Sequence, residues 1–255
     1  MDTLLDFTGK VAIITGAAGG FGRLLSQELA KRGCNLVIGD IDQAGLDETV
    51  ASLALSDNKV HALSCDVSNE SQCKAMVDCA LAEFGGLDIA VNNAGIAHSM
   101  APIHKLEEAV INKQMAINVN GVLFGMKYQV EAMLAKGKGH ILNVSSMAGL
   151  GGAPKGGAYS AAKHAVIGLT KTAAVEYAKY GLQVNAICPF YTPTNIMNVD
   201  GMNTEETRAR LAVGSPAKRL GTPEEIVNVM LLTLSPGNTY MTGQSIAIDG
   251  GVSAW

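Results

Sequence analysis

A tyrosine and a lysine stand four residues apart in the alanine-rich stretch GGAYSAAKHA, residues 156–165. In a helix, this spacing places Tyr159 and Lys163 on one face, a single turn apart. A free tyrosine loses its proton only near pH ~10, but a neighbouring ammonium favours the phenolate and lowers that pKa. The pair could therefore exchange a proton with a substrate near neutral pH. An ordinary helix with two polar surface residues is the alternative, and the spacing alone does not exclude it.

Two serines precede this pair at the end of an apolar stretch. The segment HILNVSS, residues 140–146, closes with Ser145 and Ser146. Ligands of open parallel α/β sheets bind beyond the carboxyl ends of the strands, so we expect a serine hydroxyl at the ligand. Such a hydroxyl could hydrogen-bond the same substrate oxygen whose proton Tyr159 exchanges.

The elements that must position these residues alternate along the chain. Strands rich in Val and Ile are predicted at 11–15, 35–40, 59–66, 87–93, 140–146, 183–189 and 244–250, and helices at 20–32, 43–54, 69–84, 107–136, 157–180 and 223–235. Strands without polar alternation are buried on both faces, so the pattern predicts one doubly wound, Rossmann-type α/β domain over residues 1–255, with helices on both faces of a parallel seven-stranded sheet.

One segment, residues 190–217, breaks the alternation. It is too long for an ordinary connection, and segments of this kind are commonly lids over a binding site. We therefore expect a substrate-binding lid here, with a surface loop of no function as the alternative.

Three glycines follow the first predicted strand. In TGAAGGFG, residues 15–22, Gly16, Gly20 and Gly22 have the spacing G-x-x-x-G-x-G. Glycine permits a tight turn, lets the backbone approach a pyrophosphate, and allows the next helix to pack closely with its N-terminus towards the anion. Glycines also end strands, so the motif gains weight from its context between a strand and a helix. It predicts a dinucleotide site.

An acidic residue, Asp40, ends the second predicted strand. A carboxylate there accepts hydrogen bonds from the adenosine ribose hydroxyls and repels the 2'-phosphate of NADP. Gly19 and Ile41 occupy the positions where a compensating cation could stand, so NAD is the expected cofactor. A turn or helix cap is the alternative role for Asp40. Asp66, at the end of the third strand, could hold the adenine amine or cap the following helix.

The composition excludes several classes of partner. A net charge of −4 and a pI near 5.7 give no broad basic surface, which argues against nucleic acid or an anionic membrane and favours a small-molecule substrate. Neither a secretory signal nor an apolar run of ~18 residues is present, so a cytoplasmic protein is expected. The five cysteines are odd in number and lack a C-x-x-C pair, which predicts reduced thiols and no metal site.

Taken in order, the motifs resemble those of the short-chain dehydrogenase/reductase family along nearly the whole chain. They are TGAAGGFG (15–22), NNAG (92–95), INVNG (117–121), NVSSMAG (143–149), YSAAK (159–163) and TGQSIAIDGG (242–251). The resemblance implies an NAD-dependent oxidoreductase that interconverts a secondary alcohol and a ketone. It selects Ser146, thirteen residues before Tyr159, as the catalytic serine. It also implies that Lys163 reaches the nicotinamide ribose, and that Asn118 distorts its helix to hold a water linking Lys163 to solvent.

The resemblance extends to cofactor contacts and to one departure. The contacts it implies are Gly16, Gly20, Phe21, Gly22, Asp40, Ile41, Asp66, Val67, Asn92, Gly95, Tyr159, Lys163, Pro189, Thr192 and Thr194, with structural roles for Asn93 and Ala94. Phe190 stands where the family usually has glycine, and its ring could cover or crowd the nicotinamide. Thr192 replaces the usual valine or isoleucine and could contribute through its backbone.

The expected substrate pocket is apolar and compliant. Its predicted boundaries are the loop with His98, the segment from Met147 through residues 149–157, and the lid residues Tyr191, Met197 and Met202, around Ser146 and Tyr159. These groups favour a small or medium, weakly polar secondary alcohol or ketone, cyclic ones included. His98 is expected to be a loop residue rather than a second acid or base.

Two other functions remain open at this point. A 3-oxoacyl-thioester reductase, acting on acyl carrier protein or CoA substrates, usually needs NADPH and a basic entrance, and Asp40 and the few arginines argue against it. A non-catalytic nucleotide-sensing protein would tend to lose a catalytic residue, whereas this sequence has all four that the resemblance implies: Asn118, Ser146, Tyr159 and Lys163. The resemblance also implies a homotetramer, or a homodimer, formed through the predicted helices at 107–136 and 157–180 and the last strand.

Overall fold

Seven parallel strands form a single sheet in the computed structural model, which describes residues 3–55, 57–199 and 203–254. The strands are β1 Val11–Thr15, β2 Asn35–Asp40, β3 Val60–Ser64, β4 Ile89–Asn92, β5 Gly139–Val144, β6 Leu182–Pro189 and β7 Ser245–Ile248. Their order across the sheet is β3-β2-β1-β4-β5-β6-β7. The predicted doubly wound sheet is confirmed.

Eight α-helices accompany the strands within the described ranges. They are α1 Gly20–Ala30, α2 Gln43–Ala51, α3 Glu70–Phe84, α4 Glu108–Met115, α5 Gly121–Lys136, α6 Gly157–Tyr177, α7 Glu205–Gly214 and α8 Pro223–Leu234. The single helix predicted over 107–136 is α4 and α5 joined by a π-helical turn, Ala116–Asn120. No described helix is long and apolar enough to cross a membrane.

The sheet is covered on both faces because its apolar side chains point alternately to either side. In β1, all five residues are buried. Ile13 belongs to the core beneath α3, α5 and α6, whereas Ala12 and Ile14 belong to the core beneath α1 and α8. A strand that is apolar at every position therefore supplies both cores, as parallel sheets require.

The segment predicted as a lid contains a helix that the sequence pattern did not indicate. After β6 it forms a 3-10 turn, Asn195–Met197, and then α7. No residue of α7 is buried. A helix that buries no residue needs no apolar stripe, and an apolar stripe is the feature by which sequence periodicity detects a helix. Met202, one of the predicted pocket residues, lies outside the described residues.

The strand order reverses between β1 and β4, and ligands of open α/β sheets bind at such a switch point. A cleft of about 830 Å³ opens there, at the carboxyl ends of the strands. The predicted catalytic residues must be located relative to this cleft.

Candidate active site

Most of the predicted site residues line this one cleft. Of the cofactor set, these are Gly16, Gly20, Phe21, Asp40, Ile41, Asp66, Val67, Gly95, Tyr159, Lys163, Pro189, Thr192 and Thr194, and of the substrate set His98, Ser146, Met147, Tyr159 and Tyr191. Two predicted contacts, Gly22 and Asn92, do not line it. Asn118 is fully buried and does not line the cleft either.

The two adjacent serines at the end of β5 have different surroundings. The hydroxyl of Ser146 accepts the Ala148 amide at 3.2 Å and lies near enough to the Tyr159 phenol to lower its pKa. The hydroxyl of Ser145 instead donates to the Lys163 main-chain carbonyl at 2.9 Å, in the protein interior. Ser145 therefore fixes α6 to the end of β5, and Ser146 stands beside the phenol.

Lys163 is buried on the inner face of α6, with only 2% of its surface exposed. Its ammonium donates to the Val144 carbonyl at 2.8 Å and lies 5.6 Å from the centroid of the Tyr159 ring. Burial lowers the pKa of Lys163 to about 8, because the charged form loses its hydration. Lysine and tyrosine are thus neighbours, as the four-residue spacing predicted.

The pKa of Tyr159 differs from the sequence-based expectation. The Lys163 ammonium was expected to lower it, but burial raises it to about 12, the nearby Tyr191 adds to the rise, and the Ser146 hydrogen bond only partly offsets both. Burial dominates because the phenolate would lose its hydration, while the amine lies beside the ring and is bonded to a carbonyl. The protein's own groups therefore keep Tyr159 protonated at neutral pH.

Asn118 lies in the middle of the π-helical turn and is fully buried. Its amide nitrogen donates to the Ile96 carbonyl at 2.8 Å and to Gln114 Oε1 at 2.7 Å, and its Oδ1 accepts the Ile96 amide at 2.9 Å. The side chain thus fastens the loop after β4 to the widened helix. A Cβ on Gly95 would lie 2.9 Å from Asn118 Oδ1 and 3.4 Å from Lys163 Nζ, so the loop passes directly over both residues.

The glycine loop has the geometry of a phosphate cradle. Gly16 and Gly20 have φ values of +68° and +52°, a region that other residues rarely adopt. Helix α1 begins after Gly19 with no side chain capping its first amides, so these donors and the positive end of the helix dipole are available to an anion. A Cβ on Gly22 would lie 2.1 Å from the Gly16 carbonyl oxygen. Gly22 is therefore required for packing and not, as predicted, for direct contact with a cofactor.

The end of the cleft at β2 and β3 is acidic. Asp40 accepts the Ala18 amide at 3.0 Å through Oδ2 and the Asp42 amide at 3.1 Å through Oδ1. Asp42 and Asp66 line the same cleft, and Lys163 is the only lysine or arginine among the described residues that do. Asp66 holds the Ser68 amide at 2.9 Å, and the cap of α3 is Asn69.

One cation does contact the glycine loop, although sequence reasoning expected none nearby. The Arg23 guanidinium donates to the Ala18 carbonyl at 2.6 Å and to Glu48 at 2.8 Å. Its Nε donates to Thr49 at 3.0 Å. Arg23 is thus bound to α2 and does not line the cleft.

Of the two asparagines at the end of β4, Asn93 lines the cleft and the predicted contact residue Asn92 does not. Asn92 is buried away from the cleft, with its amide nitrogen bonded to Gln129 at 3.0 Å and to Asn143 at 2.8 Å. Asn93 lines the cleft and donates to the carbonyls of Thr15 and Gly16, each at 3.0 Å. Successive side chains of a strand point to opposite faces, so a one-residue difference decides which asparagine reaches the cleft.

The segment after β6 crosses the cleft towards the glycine loop. A Cβ on Gly20 would lie 3.4 Å from Thr194, and one on Gly19 would lie 2.9 Å from Asn195 Nδ2. Asn195 also lines the cleft, as do Val252 and Ser253 near the end of the chain. Sequence reasoning missed these three, because no motif marks them and only the folded chain brings them to the site.

Phe190, the departure from the family pattern, packs against its neighbour. Its ring meets the Tyr191 ring edge to face, with the centroids 4.9 Å apart. Thr192 is buried and donates to the Phe190 carbonyl at 3.1 Å. Phe190 therefore shapes the wall beside Tyr191.

His98 contacts the first turn of α6. Its Nε2 faces the Tyr159 main-chain amide at 3.4 Å, and its Nδ1 lies 2.8 Å from the Ser99 carbonyl. A proton on Nδ1 satisfies both contacts, since Nε2 then accepts from Tyr159. Because Gly156 gives α6 no side-chain cap, His98 takes part in capping this helix.

These residues fit a nicotinamide dinucleotide. The positive-φ glycines and uncapped amides suit the pyrophosphate, Asp40 suits a ribose, and the Ser146–Tyr159 pair stands at the other part of the same cleft. A cleft of this size falls within the range of small-molecule and cofactor sites.

Comparison with known proteins gives the same result. The family model described as enoyl-(acyl carrier protein) reductase matches residues 16–253. Cis-4-hydroxycyclohexanecarboxylate dehydrogenase of Sinomonas cyclohexanicum is 39% identical over 97% of this chain and 98% of its own length. The 2,5-dichloro-2,5-cyclohexadiene-1,4-diol dehydrogenase of Sphingobium indicum is 38% identical over 98% of this chain and 99% of its own length.

Two solved structures show the same fold. The crystal structure of a levodione reductase has a TM-score of 0.94 at 34% identity, over 97% of this chain and 99% of that one. The structure of a 3-ketoacyl-(acyl-carrier-protein) reductase from Brucella melitensis with NADH has a TM-score of 0.89 at 31% identity, over 97% and 99%. The resemblance predicted from the motifs is confirmed: the chain belongs to the short-chain dehydrogenase/reductase family.

Proposed function

We propose that this protein is an NAD(H)-dependent dehydrogenase that interconverts a secondary alcohol and a ketone on a small, neutral, cyclic substrate, with Tyr159 as acid and base. Its relatives support an oxidoreductase of secondary alcohols and ketones. The observation that carries the proposal is that Ser146, Tyr159 and the buried Lys163 line the same cleft as the glycine loop, with the Lys163 ammonium 5.6 Å from the centroid of the Tyr159 ring.

The proposed chemistry assigns one task to each residue. In reduction, the protonated Tyr159 gives its proton to the carbonyl oxygen, and Ser146 holds that oxygen by a hydrogen bond. In oxidation, Tyr159 must act as the phenolate, the form that the positive charge of bound NAD+ would favour, and it then takes the proton from the alcohol. Bound nicotinamide supplies the hydride acceptor in one direction and the hydride donor in the other.

Lys163 and Asn118 would support the proton transfer. Lys163 has a pKa of about 8, so it can hold or release a proton near neutral pH, and it would also bind the nicotinamide ribose. Asn118 would shape the helix so that a water can link Lys163 to solvent. Its side-chain amide is already bonded to Ile96 and Gln114, so its main-chain carbonyl would have to bind this water.

The acidic end of the cleft supports NAD over NADP. Asp40 stands where an adenosine ribose would bind, and Arg23 is bonded to Glu48. We expect kcat/KM with NAD+ to exceed that with NADP+. Asp40→Ser should reduce the preference about tenfold or more, because it removes charge-assisted hydrogen bonds and the repulsion of a phosphate. A wild-type preference for NADP+ would contradict this assignment.

The substrate class follows from the walls of the cleft. Met147, Pro154, Met197 and the Phe190 ring are apolar and leave space beside Ser146 and Tyr159. The two curated relatives above are named for six-membered ring substrates, and such a ring suits these walls. We propose that residues 190–217 act as the lid that encloses it.

Steady-state assays test the proposal directly. The purified protein with NAD+ should oxidise cyclohexanols faster than linear secondary alcohols. Tyr159→Phe should lower kcat by a factor of roughly 10² to 10⁴ while leaving NADH binding, followed by fluorescence, within about twofold. Tyr240→Phe is the matched control, since Tyr240 is 98% exposed. An undiminished rate in Tyr159→Phe would refute the role of this residue, and a non-catalytic nucleotide-sensing protein would bind NADH without oxidising any alcohol.

Reduction of a 3-oxoacyl thioester is the second candidate. The 3-ketoacyl reductase structure is titled as an NADH complex, so preference for NAD would not by itself exclude this activity. The described residues lining the cleft provide no basic entrance for an anionic carrier, which favours the cyclic substrate. Efficient reduction of acetoacetyl-CoA, with little activity on cyclohexanols, would favour the thioester reductase over the dehydrogenase of cyclic alcohols.

We also propose that the chain forms a homotetramer or homodimer through α4, α5, α6 and β7. Exposed apolar residues on these helices support this, among them Leu123 at 45% and Val175 at 84% exposure. Light scattering after size exclusion measures the assembly, and Val175→Glu should weaken it if α6 is in the interface.

A further inference from the structure

A second hydroxyl, that of Tyr191, stands in the cleft near the reacting phenol. Tyr191 and Tyr159 both line the cleft, and the nearby Tyr191 adds to the rise in the pKa of Tyr159. Burial also raises the pKa of Tyr191. At neutral pH its hydroxyl is therefore protonated and able to donate a hydrogen bond.

The Tyr191 hydroxyl has no hydrogen-bond partner among the residues that the structure describes. The ring itself is positioned by the edge-to-face contact with Phe190, at 4.9 Å between centroids. Phe190 is in turn placed between this cleft and a second cavity of about 250 Å³, lined also by Ile226 and Ile248. A rigidly held tyrosine with a free hydroxyl can orient a ligand at little cost in conformational entropy.

The surroundings of this hydroxyl select for an uncharged partner. The neighbouring walls are apolar, and Lys163, the only lysine or arginine among the described lining residues, is hydrogen-bonded to Val144. Arg210 lowers the pKa of Tyr191 slightly, but it is exposed and does not line the cleft. A buried carboxylate would lack a cation here, whereas a hydroxyl or carbonyl needs only one hydrogen bond.

We infer that the Tyr191 hydroxyl binds a second, neutral oxygen on the substrate ring and so selects cyclic diols and hydroxyketones over simple cyclic alcohols. While Ser146 and Tyr159 hold the reacting oxygen, Tyr191 would hold the other one and set the orientation of the ring. This inference rests on the proposed function, because it concerns the specificity of the same site.

A comparison of two substrates tests the inference. The kcat/KM for cyclohexane-1,4-diol is divided by that for cyclohexanol, in the wild type and in Tyr191→Phe. We expect this ratio to fall about threefold to tenfold in the variant, the effect of one lost hydrogen bond. The exposed control Tyr240→Phe should leave the ratio unchanged. Equal losses on both substrates, or no loss on either, would overturn the role of Tyr191.

A binding measurement separates this inference from the proposed function. Isothermal titration in the presence of NAD+ gives the Kd of each ring compound for Tyr159→Phe and for the double variant with Tyr191→Phe. A selective loss of diol affinity in the double variant supports the inference, whether or not the wild type oxidises either compound. If the wild type oxidises neither compound, that absence of activity refutes only the proposed function. If the wild type oxidises both compounds and the double variant shows no selective loss, the inference alone fails.

Discussion

Lys163 combines a positive charge with deep burial, and this should be measurable as a pH-dependent stability. In the unfolded chain, the amine keeps its proton up to its ordinary pKa of 10.5, whereas in the folded protein it releases the proton above about 8. Between these values the unfolded state binds more protons, so the free energy of unfolding rises with pH. The contribution of the Lys163 amine to the free energy of unfolding is therefore fully present above pH 10.5 and is lost as the pH falls to 8.

The variant Lys163→Met keeps the length of the side chain and removes its charge. The difference in unfolding free energy, wild type minus variant, should rise by about 1.4 kcal/mol for each pH unit, or roughly 2 to 3 kcal/mol between pH 8 and pH 10. The variant also leaves the Val144 carbonyl without its donor. The cost of this unpaired carbonyl does not vary with pH. It therefore shifts the difference in unfolding free energy by a constant and leaves the slope of that difference with pH unchanged.

Urea unfolding followed by circular dichroism at pH 7, 8, 9 and 10 gives the required free energies. Lys171→Met removes an exposed lysine from the same helix and should show no such slope, because its amine is in water in both states. A flat difference for Lys163→Met would show that burial does not depress the pKa of Lys163. A difference that falls with pH would show that the amine is paired with a phenolate, and would refute the protonated Tyr159 described above.

Two further substitutions test the positions that hold the site. Gly22→Ala should destabilise the protein by more than about 1 kcal/mol in thermal unfolding, because its Cβ would lie 2.1 Å from the Gly16 oxygen, whereas Gly168→Ala, with open space around it, should be neutral or slightly stabilising. His98→Leu removes the acceptor of the Tyr159 amide and should lower kcat more than it changes KM. His98→Gln should restore much of the rate, because its side-chain oxygen can accept the same amide. Equal rates in the two variants would exclude this capping role.

The closeness of the residues that we predict to be catalytic could be inferred from the sequence because their arrangement depends on local geometry. The helical repeat alone places Lys163 one turn from Tyr159, and the strand end brings Ser145 and Ser146 to the site, of which the family resemblance selected Ser146. The helix α7 could not be predicted, since none of its residues is buried and its sequence carries no apolar period. The prediction that Asn92 lines the cleft was wrong because successive side chains at the end of a strand point to opposite faces. The sequence defines the end of β4 only to within a residue, so it does not decide whether Asn92 or Asn93 faces the cleft.

By itself, the sequence determined the seven strands and most of the helices between them, the glycine loop after β1 and the closeness of Tyr159 and Lys163, because short-range geometry and backbone sterics govern all three. Only the tertiary structure decided how that pair is charged. Lys163 is buried where α6 packs on the sheet, and Tyr159 is half-buried in the wall of the cleft, so partial loss of hydration shifts the pKa of each in the direction that favours its neutral form. The tertiary structure also brought Asn195, Val252 and Ser253 to the cleft, because contacts between distant segments depend on how the whole sheet and its helices pack.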